Sequence, residues 1–112
     1  SYNNKIIKKK KYKFYKLDIN NRDKLRRVIK KHKPECIFNL AAETHVDRSI
    51  DSPKEFINSN ICGVFNLLEA IREYKKKIRL IHISTDEVYG DLNGSSRSDE
   101  KSSYNPSSPY SR

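Results

Sequence analysis

The sequence IRLIHISTDEVYG, residues 78–90, decides the fold of this 112-residue chain. Its first seven residues are mostly apolar, as in a strand covered on both faces, and they lead directly into Thr85, Asp86 and Glu87. Because adjacent side chains of a strand point to opposite faces, both carboxylates can reach one ligand only if the strand ends here. The VYG that follows, residues 88–90, supplies the turn that would end it.

Upstream of this stretch, short apolar runs alternate with longer helical patterns. Asn21 is suited to cap a helix, and SPKE, residues 52–55, predicts a capping box with proline in the first helical position. The alternation predicts an α/β fold, a partial doubly wound parallel sheet whose ligands bind at the carboxyl ends of its strands. The expected strands are Tyr12–Asp18, Cys36–Ala42 and Ile78–Ser84, and the expected helices run from about Arg22 to His32 and from Pro53 to about Lys76.

The second predicted helix carries a wide apolar face. Apolar residues recur along it at steps of four and three, and Phe56, Phe65 and Leu67 widen the stripe. We expect this helix to pack against two surfaces, one of which belongs to another subunit. The stripe consists of Ile57, Ile61, Val64, Leu68 and Ile71.

Composition excludes several functional classes. Hydrophobic residues make up 35% of the chain and charged residues 34%, and no apolar run approaches the roughly 20 residues of a membrane span. The N-terminus has lysines where a signal peptide is apolar. Cys36 and Cys62 have no metal-ligand spacing, so they are interpreted as reduced core thiols of a cytoplasmic protein.

The net charge of +10 is concentrated near the N-terminus, since residues 1–33 hold 14 of the 24 Lys and Arg residues. Interleaved aromatic residues (Tyr12, Phe14 and Tyr15) are compatible with nucleic-acid binding. No nucleic-acid-binding motif accompanies the charge, so a solvated lysine-rich surface is the favoured interpretation.

The polar clusters at the strand ends are the candidates for chemistry. Asp86 and Glu87 could divide acid and base roles, or could form a helix cap or a solvated acidic turn. Tyr110 acts as a base only if a nearby cation stabilises its phenolate, and Tyr89 and Tyr104 compete with it.

The sequence around the histidines does not have the spacing of a metal site. His45 and Asp47 have no third ligand at fixed spacing, and no metal is expected. His82 is predicted to be a core histidine with a satisfied ring nitrogen.

Taken together, these segments resemble the dTDP-glucose 4,6-dehydratases of the extended short-chain dehydrogenase/reductase superfamily. The resemblance covers about residues 12–112, although TDEVYG alone also fits UDP-glucose 4,6-dehydratases. The matching stretches are KLDI (16–19), IFNLAAETHVDRSID (37–51), FINSNICGVFNLLEA (56–70), HISTDEVYGD (82–91) and NPSSPYS (105–111).

The resemblance implies a Rossmann-like NAD-binding domain of a cytoplasmic homodimer, paired through helix 53–76, that acts in deoxysugar biosynthesis without nucleic-acid or membrane partners. Thr85 would bind the sugar 4-hydroxyl and Tyr110 would deprotonate it, Glu87 would remove the proton at carbon 5, and Asp86 would protonate the departing 6-hydroxyl. Thr44 would also face the substrate. NAD would contact Asp18, Ile19, Leu40, Ala41, Ala42, Glu43 and Ser59.

The sequence departs from that family at both ends. The glycine-rich GxxGxxG turn and the first strand are not found, and the chain stops two positions before the lysine expected after Tyr110. We therefore expect residues 1–112 to be a single incomplete domain, internal to a longer dehydratase and inactive by itself. The alternatives are a fragment that only binds, for instance to a full-length dehydratase through helix 53–76, and a basic module that binds nucleic acid through residues 1–33.

Overall fold

The computed structural model describes residues 11–91, 94 and 97–111. Residues 1–10, which carry part of the basic segment, and several positions of the polar loop after Gly90 lie outside that set. The elements, in chain order, are α1 (Arg22–His32), β1 (Cys36–Asn39), α2 (Val46–Asp51), α3 (Pro53–Phe56), a π-helical turn (Ile57–Cys62), α4 (Gly63–Tyr74), β2 (Arg79–His82) and a 3-10 helix (Asp86–Tyr89).

Helix α1 has the bounds that the sequence predicts. The Asn21 side chain accepts a hydrogen bond from the backbone N–H of Lys24, which satisfies one of the free donors of the first turn. Lys33 adopts the left-handed conformation (φ 48°) and its N–H bonds to Ile29 O, which closes the helix directly before Pro34.

The sheet of the described residues has two parallel strands. Cys36 lies opposite Arg79, and Asn39 lies opposite His82. Both strands are shorter than the apolar runs that predict them, and the strand predicted at Tyr12–Asp18 does not form. A strand exists only through its ladder of backbone hydrogen bonds, and in the described part of the chain residues 12–18 find no such partner. The three-strand expectation is therefore wrong in number, although the parallel α/β arrangement is correct.

The core lies between α1 and α4. Leu25 and Ile29 of α1 pack with Leu67 and Ala70 of α4, and partly buried residues of the strands and of the segment before α1 surround them. This packing places the two helices side by side against the two-stranded sheet.

The buried face of the 53–74 region is shifted from the predicted stripe by one position along the sequence. The predicted stripe leaves Ile57 45%, Ile61 48% and Leu68 48% exposed, and Phe65 is 57% exposed. Close packing explains the difference, because a Cβ on Gly63 would approach Ile19 Cδ1 to 2.5 Å. Gly63 and Ala70 are buried against the neighbouring elements, whereas Ile57, Ile61 and Leu68 face outward. The buried residues are Phe56, Gly63, Leu67 and Ala70, so the prediction that Phe56 and Leu67 belong to the buried face is confirmed.

The region is also less regular than one continuous helix. Ser52 makes no side-chain cap hydrogen bond, so the predicted capping box is wrong. The short helix α2 ends directly before it, and the N–H of Ser52 bonds back to Arg48 O at 2.7 Å. The π-helical turn, which the sequence analysis does not predict, then separates α3 from α4.

Two further features of the described residues bear on function. Cys36 and Cys62 are free, but both are exposed, so their assignment to the core is wrong. None of the described helices combines the length and the apolar character that a bilayer crossing requires.

Ion pairs join α1 to α4 at the edge of the core. Arg22 bonds to Glu73 at 2.5 Å, and Arg26 Nε lies 2.9 Å from Glu73 Oε2 without the alignment of a hydrogen bond. Glu69 accepts from Arg72 at 2.7 and 3.1 Å and lies 3.4 Å from Arg22. The hydrogen bond from Arg72 holds the pKa of Glu69 below its ordinary value of 4.5.

The lowered pKa of Glu69 predicts an acid-sensitive contribution to stability. A carboxyl whose pKa is depressed by folding stabilises the fold above its unfolded pKa, and the effect is lost as the pH falls through the folded value. We therefore expect Glu69→Gln to lower the unfolding midpoint at neutral pH and the difference from the wild type to vanish on acidification below 4.5. Thermal unfolding across a pH series measures this. Glu55→Gln, at an exposed position with no ion pair among the described residues, is the control, and an equal effect of both variants would contradict the assignment.

Candidate active site

The parallel register brings two polar segments to one edge of the sheet. Residues 40–44 follow β1 and residues 83–87 follow β2, and parallel strands end at the same edge. Asn39 is 4% exposed, and its Nδ2 donates to His82 Nδ1 at 3.1 Å while its Oδ1 accepts from Ala41 N at 3.3 Å. His82 therefore has a satisfied ring nitrogen, as predicted, but it is exposed and belongs to the site edge and not to the core.

A cavity of about 220 Å³ lies at this edge, here called the strand-end cavity. It gathers predicted site residues from three separate segments: the end of β1, the end of β2 and the loop near the C-terminus. These are Leu40, Ala41, Ala42, Thr44, Thr85 and Tyr110.

The predicted break after β2 is confirmed. The strand ends at His82, and Thr85 caps the 3-10 helix, with its Oγ1 accepting from the N–H of Glu87 at 3.2 Å. The same hydroxyl lies 3.4 Å from Asp86 Oδ1, to which it donates. The expected helix cap is present, but Thr85 provides it and the two carboxylates follow it in the first turn, out of strand geometry.

Tyr110 lies in a turn closed by two buried serines. Ser111 Oγ accepts from the N–H of Ser108 at 3.3 Å and donates to Ser108 O at 3.0 Å, and both side chains are at most 5% exposed. Such a closed pair fixes the backbone on either side of Tyr110. Neither serine is marked by a sequence pattern as part of the site.

A second cavity, of about 540 Å³, adjoins the first and is here called the loop cavity. Thr85 lines both cavities, whereas Asp86 lines the loop cavity together with Tyr89 and Tyr104. The two tyrosine rings lie 5.6 Å apart. Glu87 is half-buried and lines neither cavity, so the structure places the two carboxylates in different surroundings.

Asn60 is the main site residue that sequence reasoning misses. Its Oδ1 accepts from the N–H of Glu43 at 2.8 Å and its Nδ2 donates to Glu43 O at 3.1 Å. This two-point clamp comes from the π-helical turn, a deviation that is frequent at functional sites. The available signal is a polar amide between Ile57 and Ile61. Asn60 lines the strand-end cavity, whereas the predicted Ser59 and Glu43 do not.

The remaining predicted cofactor residues lie away from the cavity. The Asp18 carboxylate accepts from Asn20 N at 2.9 Å and shapes the turn before α1. Ile19 packs against Gly63 of α4. No group of three or more His, Cys, Asp or Glu in the described residues has the arrangement of a metal site.

The sequence of the whole chain matches one family model. Residues 1–112 match the model described as GDP-mannose 4,6 dehydratase. The chain belongs to this dehydratase family. The dTDP-glucose 4,6-dehydratase of Neisseria meningitidis serogroup B is 50% identical over 109 residues, which cover 89% of this chain and 31% of that protein. The chain thus spans about a third of the length of the curated relatives it matches.

Solved structures of the same fold agree with this membership. The dTDP-glucose 4,6-dehydratase DesIV of Streptomyces venezuelae, solved with NAD and TYD bound, has a TM-score of 0.86 and 33% identity over 96% of this chain and 32% of its own. The UDP-glucose 4-epimerase of Thermus thermophilus in complex with NAD has a TM-score of 0.84 and 28% identity, over 92% of this chain and 33% of its own. The predicted resemblance and the Rossmann-type fold class are therefore confirmed.

Removal of the Asn60 side chain is expected to loosen the backbone just after β1. Asn60→Ala removes both hydrogen bonds to Glu43, and two such bonds are worth about 1–3 kcal/mol. We expect the Glu43 amide to exchange with solvent about tenfold faster or more, as measured by hydrogen exchange with mass spectrometry or NMR.

The matched control is Asn58→Ala in the same π-helical turn, because the Asn58 side chain makes no hydrogen bond within the described residues. Asn60→Asp retains the acceptor and loses the donor, so an intermediate effect is expected. Unchanged exchange at Glu43 in Asn60→Ala would contradict the clamp.

Proposed function

We propose that the full-length protein, meaning this sequence with whatever its gene encodes on either side, dehydrates dTDP-glucose to dTDP-4-keto-6-deoxyglucose with NAD as cofactor. One observation carries the proposal: Thr85, which caps the turn that carries Asp86 and Glu87, meets Tyr110 at a cavity lined by the end of β1. A hydroxyl, a phenol and two carboxylates at a strand end are the groups that this elimination needs.

The end of β1 fits the role of a cofactor edge. Leu40, Ala41 and Ala42 are exposed along it, and the two alanines let a flat ring lie close to the backbone. In the proposal Glu43 and Ser59 continue this contact near the Asn60 clamp, and Asp18 and Ile19 meet the adenine end. NAD, when bound, supplies reversible hydride transfer, from carbon 4 of the sugar and back to carbon 6.

The hydroxyl groups at the cavity prepare the sugar for oxidation. Thr44 contacts the substrate, and Thr85, which lines both cavities, binds the 4-hydroxyl. Tyr110 in the same cavity takes the proton of that hydroxyl as carbon 4 becomes a ketone. A positioned general base of this kind contributes about 10²–10⁴-fold.

The two carboxylates then share the elimination. A ketone at carbon 4 acidifies the proton at carbon 5, which Glu87 removes. Asp86 protonates the 6-hydroxyl, which leaves as water. One group must be ionised and the other protonated, and groups in different surroundings divide such roles. The unequal exposure of Glu87 and Asp86 shows that their surroundings differ, and the assignment of the base to Glu87 and of the acid to Asp86 follows the family resemblance.

Epimerisation is the second candidate function, because UDP-glucose 4-epimerases share the backbone arrangement. Inverting carbon 4 requires removal and return of hydride and no elimination, so it gives no role to Asp86 and Glu87. Their placement at a capped strand end favours dehydration. Dehydration of UDP-glucose would use the same groups. It is distinguished from dehydration of dTDP-glucose only by comparing the activity of the protein on the two substrates. In a further alternative the chain only binds, through helix 53–76 or the basic residues 1–33.

The wider setting follows from the same proposal. Residues 1–112 would be part of one NAD-binding domain, and the product class, a 4-keto-6-deoxy sugar nucleotide, belongs to deoxysugar biosynthesis. A cytoplasmic location and the absence of nucleic-acid and membrane partners are part of the proposal.

A homodimer through helix 53–76 is also part of the proposal. Four large apolar side chains on that region are between 45% and 57% exposed, and a contiguous patch of this kind marks an interaction surface. The outward face is defined by Ile57, Ile61, Phe65 and Leu68.

The outward face is tested by Phe65→Glu in the full-length protein. A buried charge at a dimer contact is unfavourable, so we expect the dimer to dissociate at concentrations where the wild type stays paired. Light scattering or sedimentation measures the mass. Phe14→Glu is the control, since Phe14 is 69% exposed and lies on another segment. A dimer that survives Phe65→Glu unchanged would refute this contact.

The division of labour between Glu87 and Tyr110 is tested in the full-length protein with NAD and dTDP-glucose. Glu87→Gln is expected to stop product formation while the reduced nicotinamide still accumulates in a single turnover, because the first step uses Tyr110. Tyr110→Phe is expected to prevent that accumulation.

Glu100→Gln, an exposed glutamate in the polar loop, serves as the neutral control. Equal loss of reduced nicotinamide in Glu87→Gln and Tyr110→Phe would assign Glu87 another role. A wild-type protein that forms no 4-keto product from either dTDP-glucose or UDP-glucose would overturn the proposed function itself.

A further inference from the structure

The turn that carries the carboxylates and the loop that carries Tyr110 touch through their backbones. The N–H of Asn105 donates to Val88 O at 2.8 Å, just before Gly90 ends the 3-10 helix. Gly90 has φ 77° and ψ −166°, a backbone region that is essentially restricted to glycine.

The contact leaves no room for a side chain at position 90. A Cβ built on Gly90 would overlap the carbonyl oxygen of Asn105 and would lie 3.1 Å from its carbonyl carbon. These are backbone atoms of a segment already tied to Val88, so they cannot turn aside as the end of a flexible side chain does. Two chain segments therefore approach each other as closely as glycine allows.

From this contact we propose that Gly90 is a positioning residue of the active site. Its missing side chain sets the separation between the Thr85 turn and the loop of residues 105–111. The buried Ser108–Ser111 pair fixes the second half of that loop. The position of Asn105 relative to Gly90 therefore also determines the position of Tyr110. Gly90 touches no substrate and acts only through the placement of Tyr110 relative to Thr85. The catalytic part of this inference rests on the proposed function.

Gly94 provides a matched control within the same chain. Its φ is 72°, so alanine there also has to adopt a positive φ. A Cβ on Gly94, however, meets no atom within 4 Å among the residues that the structure describes. The comparison of Gly90→Ala with Gly94→Ala therefore controls for the effect of a positive φ, since only position 90 also faces the backbone of Asn105.

The test uses the full-length protein and reads structure and activity separately. In Gly90→Ala we expect exchange of the Asn105 amide to be about tenfold faster, because its hydrogen bond to Val88 is broken. We expect kcat to fall about 100-fold, the effect of misplacing a reacting group by roughly 1 Å. NAD affinity, measured by titration, should change less than about threefold, because residues 40–44 and Asn60 are not displaced.

Gly94→Ala should match the wild type in all three measurements. If Gly90→Ala leaves Asn105 exchange and kcat at the level of Gly94→Ala, the inference is refuted. A wild-type protein without dehydratase activity would refute the proposed function instead, and the amide exchange would still report whether Gly90 sets the spacing.

A second pair of variants covers the case in which Gly90→Ala does not fold. Asn105→Pro removes the N–H that Val88 accepts and adds nothing at position 90, whereas Asn105→Ala retains that N–H. The expected result is a loss of kcat in Asn105→Pro but not in Asn105→Ala, with NAD affinity retained in both. Equal kcat in the two variants would overturn the inference.

Discussion

The parallel pairing of β1 with β2 is the constraint on which the remainder of the structure depends. Asn39 opposite His82 fixes a register in which both strands end at the same edge of the sheet. A parallel pair cannot be joined by a tight turn, so the chain between the strands crosses back through α2, α3, the π-helical turn and α4. The polar residues that follow the two strands therefore lie at the same edge of the sheet, where the strand-end cavity is found.

Close packing between helices decides which residues support that edge. Helix α4 lies against α1 through Leu67 and Ala70, and at its start Gly63 admits the side chain of Ile19. The hydrophobic effect alone favours burying the largest aliphatic residues, yet several of them remain exposed on the other face. Where two elements pack closely, small residues let the backbones approach and gain dispersion contacts. The exposed aliphatic face on the other side of the helix is then available to a partner.

The candidate site is held together by polar contacts to the backbone more than by apolar packing. Asn39 Oδ1 accepts from the N–H of Ala41, Asn60 clamps the backbone of Glu43, and the Asn105 N–H donates to Val88 O. Each contact fixes a main-chain position and so sets where neighbouring side chains such as Thr44 and Thr85 line the cavity. Ordering each loop residue costs conformational entropy. A site made of three distant segments therefore needs hydrogen bonds such as these to hold its loops in place.

The sequence by itself determined the local features of this protein. Helix α1, its Asn21 cap, the two apolar strands and the break after β2 all follow from patterns within a few residues of each other. The family resemblance likewise came from short stretches such as HISTDEVYGD, and the chain's match to the dehydratase family agrees with it.

Only the tertiary structure decided which residues meet across the chain. The failed strand at Tyr12–Asp18, the rotated face of α4, the exposed His82 and the Asn60 clamp each depend on a partner at least 17 residues away or on the lack of one. A pattern of hydrophobicity records what one segment prefers to bury. It does not record how closely another segment of the chain approaches. Such approaches explain the roles of Gly63, Asn60 and Gly90 in the structure.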